Sequence, residues 1–187
     1  MGKLILVTGG GRSGKSAYAQ GLAEAGPGPR AFVATCPVID PEMSDRVRRH
    51  QLARSASDWR TIEEPLDLAS AVLSAQEQPV VLVDCLTLWV NNVMYAAGQQ
   101  NELISEADIA CRCEPVLQAA HNHGGSIIFV TNEVGMGLVP ENPLGRRFRD
   151  LAGRVNQIVA AACDEVILVV CGQPLKIKPP GWKIPIV

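Results

Sequence analysis

The strongest constraint on this chain is the run Gly9-Gly10-Gly11-Arg12-Ser13-Gly14-Lys15-Ser16, which follows the apolar Leu4-Ile5-Leu6-Val7 and meets the pattern G-x-x-x-x-G-K-[ST] at every specified position. A loop that wraps a polyphosphate turns its backbone N–H groups inward, and this demands glycine wherever φ is positive or the ligand comes close. Gly9 and Gly14 stand at those places. Lys15 is placed for the outer phosphates, the Ser16 hydroxyl for a magnesium ion, and a helix beginning here points its positive end at the anion. A mere glycine turn with a solvated lysine is the rival reading. It fits poorly, because a strand-like run precedes the loop and the helix-like run 16–23 follows it. The segment therefore predicts a strand–loop–helix unit whose ligand is a nucleoside triphosphate.

Short β-branched apolar runs recur at 4–8, 31–35, 80–84, 126–131 and 166–170, with helical stretches between them. This alternation predicts crossover connections and a mostly parallel α/β sheet flanked by helices, with ligands at the carboxyl ends of the strands. Phe148, Leu151, Val155, Ile158, Val159 and Ala162 lay one apolar face along a helix that should cover the sheet, and 67–75 and 106–120 read as two more. His121 and His123 flank the end of the last of these, where exposure and capping account for them. Lys176 to Pro185 is too rich in proline for a helix or a central strand and reads as an irregular tail. The expected division is one domain over 1–178 and a Pro-rich tail over 179–187.

At 187 residues and 47% hydrophobic content the chain can bury one good core and is short for two. A net charge of −2 argues against a nucleic-acid scaffold. The six cysteines lack C-x-x-C spacing, so zinc is not expected. With no basic-then-apolar leader at the start, they read as free thiols in a reducing cytoplasm, most of them small core residues. No apolar run approaches the length that spans a bilayer.

Val80-Val81-Leu82-Val83-Asp84 ends an apolar strand in a carboxylate, the way phosphate-loop enzymes present an acid to magnesium; a strand-end aspartate capping a turn is the plainer alternative. Neither an Asn-Lys-x-Asp base-reading motif nor an Asp-x-x-Gly switch is present, which disfavours a regulatory GTPase. If the stretch from about Glu42 is helical, Arg46, His50 and Arg54 fall at successive i, i+4 positions, with one imidazole between two guanidinium groups. A neutral imidazole can attack phosphorus, although a solvated helix face explains the same spacing. After the fourth strand, Asn132 and Glu133 approach the nucleotide end of the sheet, with Gly135 and Gly137 available to a moving lid or to an ordinary turn. Arg146, Arg147 and Arg149 beyond them suit either a solvated face or contacts to an anion or a neighbour.

Taken together, Thr8-Gly9-Gly10 with Arg12 to Ser16, Ala34-Thr35, Glu42-Met43 with Arg46 and His50, Trp59-Arg60-Thr61 with Glu63, Thr131-Asn132-Glu133-Val134-Gly135-Met136-Gly137 and Phe148 to Gln157 closely resemble one family. It is the bifunctional adenosylcobinamide kinase / adenosylcobinamide-phosphate guanylyltransferase of cobalamin biosynthesis. The resemblance runs from the first strand to about Lys178.

What the resemblance implies is a single-domain, RecA-like P-loop enzyme, assembled as a homotrimer. It would phosphorylate adenosylcobinamide and then attach GMP from GTP to adenosylcobinamide phosphate, with ATP the other candidate donor for the kinase step. By the same match, His50 is the guanylylated nucleophile, and Ala34, Thr35, Cys36, Gln51, Leu52, Ala53, Arg54, Glu63 and Asp84 join Gly9 to Ser16 as nucleotide contacts. Ser16 and Asp84 would hold Mg²⁺. The chain departs from the family pattern at Gln51, at Ser55 after Arg54, and at Cys36, where serine is common. Two other readings of the phosphate loop are a plain small-molecule kinase without a covalent intermediate and a nucleotide-driven binding or assembly protein.

Overall fold

The computed structural model of the protein describes residues 2–36 and 58–178. Among these residues the strands are β1 Leu4–Thr8, β2 Arg30–Ala34, β3 Trp59–Glu63, β4 Val80–Asp84, β5 Ser126–Val130, β6 Glu165–Val170 and β7 Gln173–Lys178. The helices are α1 Lys15–Glu24, α2 Leu68–Ser74, α3 Leu86–Gln99, α4 Glu106–Asn122 and α5 Pro143–Ala162. The sheet order is β3-β2-β4-β5-β1-β6-β7, parallel throughout except for the antiparallel β6–β7 pair. This is the expected α/β architecture. The five runs chosen from sequence are strands, with ends shifted by a residue at most.

The central strands are apolar without a break because both faces of the sheet are covered. With a side-chain period of two, Leu4 and Leu6, Val81 and Val83, and Ile127 and Phe129 enter the core under α2 to α5. Their alternates Ile5, Val7, Val80, Leu82, Ile128 and Val130 pack with Ala19 and Ala23 of α1 on the other face. Three of the covering helices, α2, α4 and α5, start on a side-chain cap. Asp67 accepts from the Ser70 amide, Asn142 accepts from the Gly145 amide ahead of Pro143, and Ser105 and Asp108 form a reciprocal capping box. At the outer side of β1, buried Glu165 pairs with Lys3 at 2.9 Å and Lys176 at 2.6 Å. The hydrogen bonds from Lys176, then Lys3, hold its carboxyl below the usual range, so three strands are stapled through one carboxylate.

Some expectations need correcting. Lys176 to Lys178, assigned to the tail, belong to β7, and the Lys178 ammonium donates to the carbonyls of Ala160, Ala161 and Cys163 at the end of α5. An edge strand accommodates Pro174 because it need not donate on its outer side. Of the cysteines only Cys113 and Cys163 are buried; Cys36 and Cys85 are half-buried and Cys111 and Cys171 exposed. His121 is exposed as expected, but His123 is buried. Its Nε2 lies 2.9 Å from the Ala75 carbonyl, and its Nδ1 accepts from the Gly125 amide. These bonds require the tautomer protonated at Nε2 and link the end of α2 to the turn before β5. The expected tail 179–187 lies outside the described residues. No helix among the described residues is long and apolar enough to cross a membrane.

Candidate nucleotide site

The loop between β1 and α1 takes the form its glycines imply. Gly9 has φ +156° and Gly14 φ +92°, and Arg12 also adopts a left-handed backbone, with φ +58°. Gly14 caps α1, which begins at Lys15, so the helix N-terminus opens onto the loop. Lys15 is only 8% exposed, and its Nζ donates to the Gly10 carbonyl at 3.1 Å, folding the side chain back over the loop. Gly10 and Gly11 line open space, where a Cβ would meet nothing within 4 Å. Ser16, in the first turn of α1, is half-buried.

The loop rests on the β6–β7 hairpin. The Gly172 amide donates to the Ser13 carbonyl at 2.8 Å, and a Cβ at Gly9 would lie 2.4 Å from the Val169 carbonyl oxygen and 2.6 Å from Ser13 Oγ. The first neighbour cannot swing away, since it is strand backbone. Gly9→Ala is therefore expected to cost about 1–3 kcal/mol of stability and to weaken binding of a fluorescent GTP analogue. Gly10→Ala should melt like the wild type. Equal melting temperatures for the two variants would refute this packing argument.

Strand register sets the rest of the carboxyl edge. Ala34 is level with Glu63 on one side and Asp84 on the other; Asp84 is level with Val130, and Val130 with Val7. With strands about 4.8 Å apart, Asp84 stands roughly 10 Å from the phosphate-loop strand, and Glu63 roughly 19 Å. The Asp84–Cys85 peptide is cis. Thr35, fully buried, brackets it: its hydroxyl accepts from the Cys85 amide at 2.8 Å and its own amide donates to the Asp84 carbonyl at 3.3 Å, while the hydroxyl also donates to the Cys85 carbonyl at 2.9 Å and the Thr35 carbonyl accepts from the Asn92 side chain.

The Cys85 thiol lies in the field of both expected anchors. Burial, then the Asp84 carboxylate, pushes it up to about 11, and the Lys15 ammonium pulls it down. It is a neutral thiol near pH 7 and not a nucleophile.

The structure thus gathers Gly9 to Ser16, Thr35 and Asp84 at the carboxyl ends of β1, β2 and β4, with Ala34 and Cys36 on the same strand end. Glu63 is exposed and removed toward the β3 edge. His50, Gln51, Leu52, Ala53 and Arg54, like Arg46, lie outside the described residues. Asn132 and Glu133 join the site: the Glu133 amide donates to the Gly9 carbonyl at 3.1 Å, and Asn132 Nδ2 approaches Cys85 Sγ at 4.0 Å. The polar network around Thr35 and Asn92 escaped sequence reasoning, because its partners are 50 and 57 residues apart and no local pattern marks them.

Comparison with known proteins places this arrangement. A type III secretion system ATPase shares the fold, with a TM-score of 0.55 at 11% identity over 90% of this chain and 51% of that one, so the chain spans about half its length. The bifunctional adenosylcobalamin biosynthesis protein CobU of Salmonella typhimurium is 43% identical over 185 residues, covering 94% of this chain and 99% of the relative. CobP of Pseudomonas aeruginosa, which carries the same description, is 40% identical over 174 residues, covering 92% and 96%. The family model described as cobinamide kinase / cobinamide phosphate guanyltransferase matches residues 5–177. A match across nearly the whole fold, phosphate loop included, makes this chain a member of the cobinamide kinase / cobinamide phosphate guanyltransferase family.

Proposed function

We propose that the enzyme carries out both of its family's reactions at the Gly9 to Ser16 loop, phosphorylating adenosylcobinamide and then transferring GMP from GTP to adenosylcobinamide phosphate. The observation that carries this reading is a buried Lys15 folded over a loop whose open face is glycine, with Asp84 two strands away at the same end of the sheet. It supplies a cation for the phosphates and an acid beside them, the minimum for chemistry on a triphosphate.

In the kinase step the loop amides and Lys15 orient the triphosphate and stabilise charge on the transferred terminal phosphoryl group. GTP is the proposed donor and ATP the alternative. In the transfer step the His50 imidazole forms a P–N bond to the α-phosphorus of GTP as the bond to pyrophosphate breaks. A phosphate oxygen of adenosylcobinamide phosphate then forms a P–O bond to the same phosphorus, the P–N bond breaks, and free His50 returns with adenosylcobinamide-GDP as product. The residues that would hold Mg²⁺ are Ser16 and Asp84, whose hard oxygen donors suit that ion. When bound it would neutralise charge on the phosphates.

Ala34, Cys36, Gln51, Leu52, Ala53, Arg54 and Glu63 are carried over from the resemblance as nucleotide contacts, and homotrimeric assembly and a cytoplasmic location belong to the same proposal. Glu63 fits less directly than the others, since its distance along the sheet edge leaves it to the nucleoside end of the ligand or to a second nucleotide.

Product analysis with purified enzyme, adenosylcobinamide and GTP tests this reading. Adenosylcobinamide phosphate should form first, then adenosylcobinamide-GDP with one pyrophosphate per transfer. Phosphorylation alone would leave a plain kinase. Nucleotide turnover that ignores cobinamide would point to a nucleotide-driven binding protein.

A further inference from the structure

Four residues close a ring of hydrogen bonds beneath the loop that follows β5. The Asn132 amide donates to Thr87 Oγ1 at 2.6 Å, and the Thr87 and Thr131 hydroxyls lie 3.1 Å apart. The Thr131 hydroxyl donates to Asn156 Oδ1 at 2.7 Å, and Asn156 Nδ2 donates to the Asn132 carbonyl at 3.1 Å. Thr131 spends its one proton on Asn156, so Thr87 must donate to Thr131, and every bond in the ring has one direction. Thr131 is fully buried and Thr87 is 7% exposed.

Packing between the helices does not require this ring. Leu86 and Val90 of α3 and Leu151 and Val155 of α5 already share one apolar core. The ring instead takes hold of both the amide and the carbonyl of a single loop residue, Asn132, and so fixes the peptide plane on each side of it. The next residue along the loop, Glu133, is tied to the phosphate loop by the bond from its amide to the Gly9 carbonyl, and Asn132 Nδ2 reaches Cys85, the neighbour of Asp84.

We infer that Asn156, on α5, is a positioning residue for the reaction. Through Thr131 and Thr87 it holds Asn132 and Glu133 against the phosphate loop, and it acts on the transferred group only by way of them. The inference rests on the proposed bifunctional activity and adds to it a set of residues outside the phosphate loop.

The test compares Asn156→Ala, Thr131→Val and Thr131→Ser in the full chain, reading melting temperature, KM for GTP and kcat for each step. Misplacement of reacting groups by a fraction of an ångström to one ångström costs rate more than binding, so Asn156→Ala and Thr131→Val should each lower kcat by about 10- to 100-fold. KM for GTP should stay near its wild-type value. The Thr131→Ser variant, which keeps the hydroxyl, should recover most of the lost rate. The double variant Asn156→Ala/Thr131→Val should be no slower than either single one, because one broken link opens the whole ring.

A folded Asn156→Ala enzyme with wild-type kcat overturns the inference, as does a loss that Thr131→Ser shares with Thr131→Val. Should Asn156→Ala fail to fold, the nearly isosteric Thr131→Val decides by the same criteria. A wild-type enzyme that performs neither step refutes the functional reading itself, before any variant is compared.

Discussion

Replacing Lys15 with methionine should lower kcat of both the kinase and the transfer step by roughly 10²–10³, about 3–4 kcal/mol of transition-state stabilisation, with little change in melting temperature. The ammonium is 8% exposed and reaches the Gly10 carbonyl, so it is held at the loop before any nucleotide arrives. A charge placed in advance in a poorly solvated site acts on developing phosphate charge without reorganising at the moment of reaction. Methionine keeps the unbranched stem that fills the space under the loop and removes only the charge and its donors. The carbonyl it leaves belongs to exposed Gly10, where water can replace the lost donor. Arginine should not rescue the variant, because its planar fork needs more room than a buried ammonium leaves. Kinetics on both half-reactions, with a thermal melt of each variant, check this. A methionine variant with wild-type kcat in both steps would remove Lys15 from the chemistry.

The parts of the fold that sequence patterns revealed are those that bury both faces. β1, β4 and β5 are continuous apolar runs because helices cover the sheet on either side, and such runs stand out in any sequence. β3 and β7 escaped for the opposite reason. Trp59–Glu63 is an edge strand of mostly polar residues, steadied by the edge-on contact of the Trp59 ring with Phe32 at 6.3 Å, and Gln173–Lys178 is exposed along almost its whole length. Helix α3 escaped because it is buried round much of its surface, Trp89, Val90, Asn92 and Val93 included, which erases the one-sided periodicity that reveals a helix. His123 misled because a histidine beside two glycines at a helix end looks solvent-facing, whereas the turn folds inward and gives its ring two backbone partners.

The candidate site divides along the same line. The phosphate loop was legible because its chemistry is written in eight consecutive residues, and Asp84 because a carboxylate ending an apolar strand is a local sign. Thr35 entered only by family resemblance, although its hydroxyl and its amide hold the Asp84–Cys85 peptide from both sides. The Thr87, Thr131 and Asn156 ring joins residues 24 to 45 positions apart, and only the folded sheet brings them together.

The second large effect is expected at His50, where alanine should abolish label transfer from [α-³²P]GTP to the protein and lower guanylyl transfer on the order of 10⁴-fold or more, as loss of a covalent nucleophile does. The kinase step should persist. Its phosphoryl group passes directly from donor to alcohol, a reaction catalysed by positioning and charge with no covalent partner on the enzyme. In the wild type the adduct should be acid-labile, as a phosphoramidate is, and adenosylcobinamide phosphate should discharge it. Stereochemistry gives an independent reading. Each in-line displacement inverts the α-phosphorus, so transfer through His50 proceeds with net retention, whereas direct attack on GTP inverts once. A single isomer of GTPαS therefore separates the two routes without any substitution. Inversion at phosphorus, or unchanged transfer by the alanine variant, would exclude the covalent route and leave the Gly9 to Ser16 loop to orient a direct attack in both reactions.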